Sequence, residues 1–274
     1  AESLGANRIE WYDESLERAL VRRTDLERFL PGAVGRGELD LVYQPIVELR
    51  RSRPVAVEAL LRWRHPVLGT VKPAELLPVA EKLRMGREIA RWVLHTSCWQ
   101  VAQWRQDGLD LWLSVNVTRE QVEDEEFVPE VAAALSVHQT PPERLAVEVA
   151  EQEVGHDTGK LAEAYGRLRA LGVRTALDDF HGDHTSLDRL RRLPLDLLKI
   201  PSPPAAESGR WLSAGVDVAR RLGLEVVAEG VEDRIQLRRA RAAGCGYGQG
   251  HFLAPPAPAE RVEAYLEGFR SRSA

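Results

Sequence analysis

"LVYQPIVELRRSRPVAVEALLRW", residues 41 to 63, holds two apolar, β-branched runs, 41–47 and 55–61, joined by a short polar link. Each run has the composition of a buried strand, and a link of that length makes a hairpin, because parallel neighbours need a crossover of a dozen or more residues. The first two strands are therefore expected to pair antiparallel. Inside the second run stands Glu58, a carboxylate in a stretch otherwise made for burial, with Arg62 four residues later. A charge there requires a partner: either Arg62 neutralises it as a structural pair, or polar groups from elsewhere in the chain meet it.

Six further strand candidates follow, "LWLSVNV" (111–117), "LAVEVA" (145–150), "RTALDD" (174–179), "LLKI" (197–200), "EVVAEGV" (225–231) and "GQGHFL" (248–253). Most are separated by amphipathic segments of helical period, such as 86–106. Strand followed by helix, repeated, means parallel strands with helices packed outside, and eight strands point to closure. The expected fold is α/β, a modified TIM-like (β/α)8 barrel with an antiparallel first strand pair. A chain of 274 residues is the ordinary size for one such domain, typically ~250 residues. Residues 1–24 stand apart as a linker helix or the tail of a preceding domain, and 25–270 form the barrel domain.

Composition narrows the function. Hydrophobic residues at 44% and charged residues at 29% are globular values. No run approaches the ~18 apolar residues of a spanning helix, and no export signal opens the chain, so a cytoplasmic domain is expected, although a longer protein could be anchored through other regions. Two cysteines, Cys98 and Cys245, are too few for a disulfide scaffold and lack zinc spacing. A net charge of −5 argues against a nucleic-acid polymer as partner. Acyl-transfer and dinucleotide chemistry lack their signatures, since G-x-S-x-G, P-loop and G-x-G-x-x-G sequences are all absent.

Polar residues recur within or at the ends of the strand candidates: Gln44, Glu58, Asn116, Glu148, Asp178 with Asp179, Lys199, Glu229 and Gln249. A barrel brings strand ends to one mouth, so these residues from distant parts of the chain are expected to converge. Crowded carboxylates resist ionisation unless a cation compensates them, and for an oxygen-only set a hard divalent ion, Mg2+ or Mn2+, does so. The adjacent aspartates of "LDDF" (177–180) are placed to bridge two ions, an arrangement suited to splitting phosphate esters. Bland readings exist for each residue alone: a Glu58–Arg62 pair, an aspartate pair in a turn, or Asn116 capping the next helix, where "NVTREQ" has a Thr followed three residues on by Gln. "HGDH" (181–184) reads as a solvated loop before it reads as a ligand set.

Taken together, "YQPIV", "EALLRWRHP", "SVN", "LDDF", "LPLDLLKI", "VAEGVE" and "GCGYGQG", in this order from about residue 38 to 256, resemble the EAL family of cyclic di-GMP phosphodiesterases. The N-terminal "GANRIEWYD" looks like the end of a GGDEF domain, which implies a tandem GGDEF-EAL protein with a preceding GGDEF-like or sensory domain. The resemblance implies hydrolysis of cyclic di-GMP to linear pGpG with two Mg2+ or Mn2+ ions, and an EAL homodimer. By motif position it implies Glu58, Asn116, Glu148 and Asp178 as ligands of one metal and Asp178 with Asp179 for the second. Glu229 matches the general base and Lys199 the lysine that positions the attacking water. Gln44, Arg62 and Gln249 fall to substrate binding, and Glu151 to steadying the loop after the aspartates.

The departures cluster there. The family continues G-T-G-Y-S-S-L after "DDF", whereas this chain has "HGDHTSL" (181–187), placing His181 and Asp183 at small, flexible positions. The family's K-I-D-x-S-F-V is "KIPSPPA" (199–205), with Pro201 for an acid. Activity that is weak or regulated is the expectation, with a catalytically impaired receptor for cyclic di-GMP, or a protein-interaction module, as the alternative.

Overall fold

Strands β1 (Leu39–Glu48) and β2 (Arg53–His65) form the antiparallel hairpin, in a register that sets Gln44 directly opposite Glu58. The computed structural model describes residues 14–182, 187–203 and 210–270. A short strand, β3 (Gly69–Val71), folds back on the end of β2. Then come β4 (Trp112–Asn116), β5 (Leu145–Ala150), β6 (Arg174–Asp178), β7 (Leu197–Pro201), β8 (Glu225–Glu229) and β9 (Tyr247–Gly248). From β2 through β4 to β9 each neighbour is parallel, and β1 closes the ring by pairing antiparallel with both β2 and β9. The barrel is thus an eight-stranded ring with one reversed strand, as the hairpin length requires, and β3 is an added edge that alternation alone did not reveal.

Strand period 2 sorts the side chains. Inward-facing Ile46, Ala56, Trp112, Ala146, Ala176, Leu197 and Val227 make a separate apolar cluster in the lumen. Their outward neighbours, such as Val57, Leu113, Val147, Leu177, Leu198 and Val226, join the main core with the helices. The helix over Gly86–Gln106 runs over the whole span expected, burying Ile89, Val93, Cys98, Val101 and Trp104 along one face. The N-terminal helix, Glu14–Phe29, rests on the helix Pro73–Lys82 through Arg22–Glu75 and Lys82–Glu27 ion pairs, and Leu26 and Leu30 enter the core.

The last strand corrects the reading of 248–253. Extended pairing ends at Gly248, and 251–253 form a turn. Gly250 explains the stop, because its backbone passes so close to the loop after β8 that a Cβ would lie 2.2 Å from Val231 N. Gln249 is left just beyond the strand, tied at N–H to Ala228 O and at its carbonyl to Val231 N. Among the described residues no helix is long and apolar enough to cross a membrane.

Candidate active site

Each inward face changes from apolar to polar as its strand approaches the mouth: Ala56 gives way to Glu58, Ala146 to Glu148, Ala176 to Asp178, Leu197 to Lys199 and Val227 to Glu229. The reversed β1 reaches the same level from the other direction, Ile46 lying below and Gln44 beside Glu58. At the centre is Lys199, 1% exposed. Its Nζ lies 2.8 Å from Glu148 Oε2, 2.9 Å from Glu229 Oε1, 3.1 Å from Asp178 Oδ1 and 3.2 Å from Glu58 Oε2. Glu148 and Glu58 accept directed hydrogen bonds from the ammonium, whereas Asp178 Oδ1 sits in ion-pair range but off the hydrogen-bond direction. Four carboxylates from four strands therefore share one nitrogen.

The neutral residues hold the acids. Asn116 Nδ2 donates to Glu58 Oε1, and Gln249 Nε2 donates to Glu58 Oε2 at 2.6 Å and to Gln44 Oε1 at 3.0 Å. Gln44 Nε2 in turn donates to Ala254 O at 3.1 Å. Glu58 is thus gripped from β4, β7 and the turn after β9, with Gln44 of β1 bracing Gln249, and the pairing with Arg62 is not formed. Arg62 is half-buried and donates from Nη1 to Leu61 O at 2.7 Å. Nor does Asn116 cap the next helix: Thr118 does, in a capping box with Gln121, leaving the Asn116 amide to the site. Ser114, which strand reading passed over, donates to Glu148 Oε1 and is fully buried. The signal was the period of two in "WLSVN", where Trp112, Ser114 and Asn116 share the inward face.

Charge is unevenly compensated, four acids against one ammonium. Burial pushes Glu148 up to about 8, with Glu58 and Asp178 repelling its charge and Lys199 opposing the rise. Burial, then Asp178, holds Glu229 well above the ordinary carboxylate range. Burial works against Asp178 too, yet the charge of Lys199, aided by the neighbouring Glu229 side chain and Asp179 backbone, outweighs it and keeps Asp178 below its ordinary value. Burial opposes the Lys199 charge, and the four surrounding acids hold that charge well above the usual lysine range.

Asp179 is separate from this cluster. Its side chain is 58% exposed, its φ is 53°, and its carboxylate lies 3.6 Å from His181 Nδ1. Glu151, 1% exposed, accepts from His181 N–H at 2.7 Å and Gly182 N–H at 3.0 Å, so it anchors the start of the loop. Residues 183–186, including Asp183, and 204–209 lie outside the described residues. A slot of about 360 Å³ opens onto Glu58, Asn116 and Asp178, with walls that include Leu60, Leu61, Ile89 and Phe127.

The donor set suits a hard cation: the oxygens of Glu58, Asn116, Glu148 and Asp178 contain no thiolate or imidazole, and Gln249 Oε1 is buried without a hydrogen-bond partner among the described residues. In the arrangement described, the ammonium of Lys199 holds the middle. Among the described residues no group of three or more His, Cys, Asp and Glu stands ready to grip an ion. The residues fit a divalent ion by chemistry and by their surplus of negative charge.

A family model described as "EAL domain" matches residues 27–256. Two curated relatives from Pseudomonas aeruginosa match nearly the whole chain. Cyclic di-GMP phosphodiesterase PA2567 is 35% identical over 93% of this chain, and bifunctional diguanylate cyclase/cyclic di-GMP phosphodiesterase MucR is 34% identical over 96%. This chain spans only 45% and 40% of their respective lengths. The solved structure described as "PaMucR Phosphodiesterase, c-di-GMP complex" superposes with a TM-score of 0.82 at 36% identity, covering 87% of this chain and 99% of that one.

Proposed function

The chain belongs to the EAL domain family, and we propose that it is a metal-dependent phosphodiesterase opening cyclic di-GMP to linear pGpG. The single observation that carries this reading is the convergence of Glu58, Glu148, Asp178 and Glu229 on Lys199 at the barrel mouth, a concentration of buried and partly buried acid that is excessive for structure alone. The names of the relatives supply the substrate class. Glu58, Asn116, Glu148 and Asp178 would hold one Mg2+ or Mn2+, and Asp178 with Asp179 a second. When bound, such ions offset charge developing on phosphate and ease the ionisation of water.

The chain's own residues do the remaining work. Glu229, whose proton affinity is raised, accepts a proton from the attacking water at the carboxylate beside Lys199 Nζ. Lys199 orients that water and balances the acids. Water oxygen bonds to phosphorus, the bond to the ribose oxygen breaks, and that oxygen leaves as a hydroxyl after taking a proton from solvent water. Gln44 and Gln249 serve the ligand indirectly, by fixing Glu58. Arg62 meets a ligand phosphate. The apolar slot beside Glu58 takes a flat base. Residues 1–24 are the linker helix or tail of a preceding GGDEF-like or sensory domain, and the EAL domain pairs with a second copy.

Purified chain incubated with cyclic di-GMP and Mn2+ is expected to yield pGpG on chromatography, with EDTA abolishing product and Glu229→Ala slowing it at least a hundredfold. Product formed equally fast by Glu229→Ala removes the base assignment. The receptor reading draws on the central position of the Lys199 ammonium. Nucleotide bound for hours without product establishes it.

A further inference from the structure

Asp179 is the member of the aspartate pair that the lysine cluster leaves out, and it is also the strained one. A non-glycine residue at φ 53° is in a sparsely populated region and holds there only when its surroundings impose it. Some of the restraint is backbone: Phe180 N–H donates to Lys199 O at 3.0 Å, and Glu151 takes the N–H groups of His181 and Gly182. The rest is aromatic. The Phe180 and His181 rings both stack on Trp211 in the helix Arg210–Leu222, at centroid distances of 6.0 and 6.5 Å and interplanar angles of 28° and 16°. His181 Nδ1 lies 2.9 Å from Asp179 O. A carbonyl only accepts, so Nδ1 carries the proton, and the stacked imidazole grips the strained residue's own carbonyl. Gly182, at φ 74°, lets the chain pass the indole; a Cβ there would lie 3.0 Å from Trp211 Cη2.

We propose that Trp211 is a positioning residue for cation binding: its indole fixes the His181 ring, the ring fixes the Asp179 backbone, and the exposed Asp179 carboxylate is thereby held for a second divalent ion. This rests on the reading of Asp179 given above. It also accounts for His181 at a position the family keeps small, since here the larger side chain closes the stack that holds the turn.

The test is direct Mn2+ binding to the whole chain, read from the loss of the free-ion electron paramagnetic resonance signal, with no nucleotide present. The unmodified chain is expected to take two ions. Trp211→Ala should weaken the weaker association about tenfold, the scale of releasing one strained residue. Gly182→Ala, which pushes the loop off an intact indole, should do the same, while Trp211→Phe keeps binding within about twofold. In the Asp179→Asn background Trp211→Ala should have no further effect, because the two act through one ligand. Equal loss in both backgrounds, or two-ion binding untouched by Trp211→Ala and Gly182→Ala, overturns this inference alone. One ion or none on the unmodified chain overturns the assignment of Asp179 and this inference with it.

Discussion

The floor and the mouth of the barrel are built by the same strands and the same inward face, two residues apart, and they are opposites. At the floor Ile46, Ala56, Trp112, Ala146, Ala176, Leu197 and Val227 form a buried apolar cluster. One step up, four acids, a lysine and two glutamines crowd together. Trp112 and Tyr247 meet edge to face, and Arg174 lies over the Trp112 ring, so the floor is also plugged from below. The difference teaches that this fold tolerates buried charge at a level, not at a residue. At the mouth Glu58, Glu148, Asp178 and Glu229 all have Lys199 within reach, while the floor cluster is made of hydrophobic side chains packed on one another.

The sharpest way to break that comparison is to put an acid on the wrong level. Ala176→Asp places a carboxylate at the floor, two residues below Asp178, and its unpaired charge costs several kcal/mol of a total stability of ~5–15 kcal/mol. Circular dichroism should find the variant largely unfolded. Next comes removal of the compensation at the mouth: Lys199→Met should cost ~3–5 kcal/mol in urea unfolding, because it strands four acids.

A smaller effect follows from pH. Glu148 and Glu229 bind protons more tightly in the folded chain than in the unfolded one, so their contribution to stability is present below the usual carboxylate range and is lost as pH rises. In EDTA the melting temperature should therefore fall between pH 5 and about 8, and Glu148→Gln, which never ionises, should make that slope shallower. Smallest of all, Ser114→Ala deletes one neutral donor to Glu148 and should cost ~1–2 kcal/mol with the fold intact.

Much of this architecture was legible in the chain. The short link between 41–47 and 55–61 dictated the antiparallel pair, and polar residues at strand ends marked the mouth because strands alternate and a barrel gathers their ends. Three things were not legible. The close approach of Gly250 to Val231, which ends the last strand, is a contact between segments that no local pattern encodes. The left-handed turn at Asp179 separates two identical neighbours that composition treats alike. Lys199 was readable as a polar residue within a strand, but its place at the centre of four acids depends on the register of β7 against β6 and β8.

The most direct test of the central claim, that the mouth is an acid cluster suited to divalent ions and the floor is not, is the unfolding temperature of the metal-free chain titrated with Mn2+. A bound ion stabilises the folded state in proportion to the logarithm of its concentration above Kd. The account predicts a rise with Mn2+ that Glu58→Gln abolishes and that Val227→Ala, a floor substitution, leaves in place. An unmodified chain indifferent to Mn2+, or an equal rise in Glu58→Gln, would contradict it.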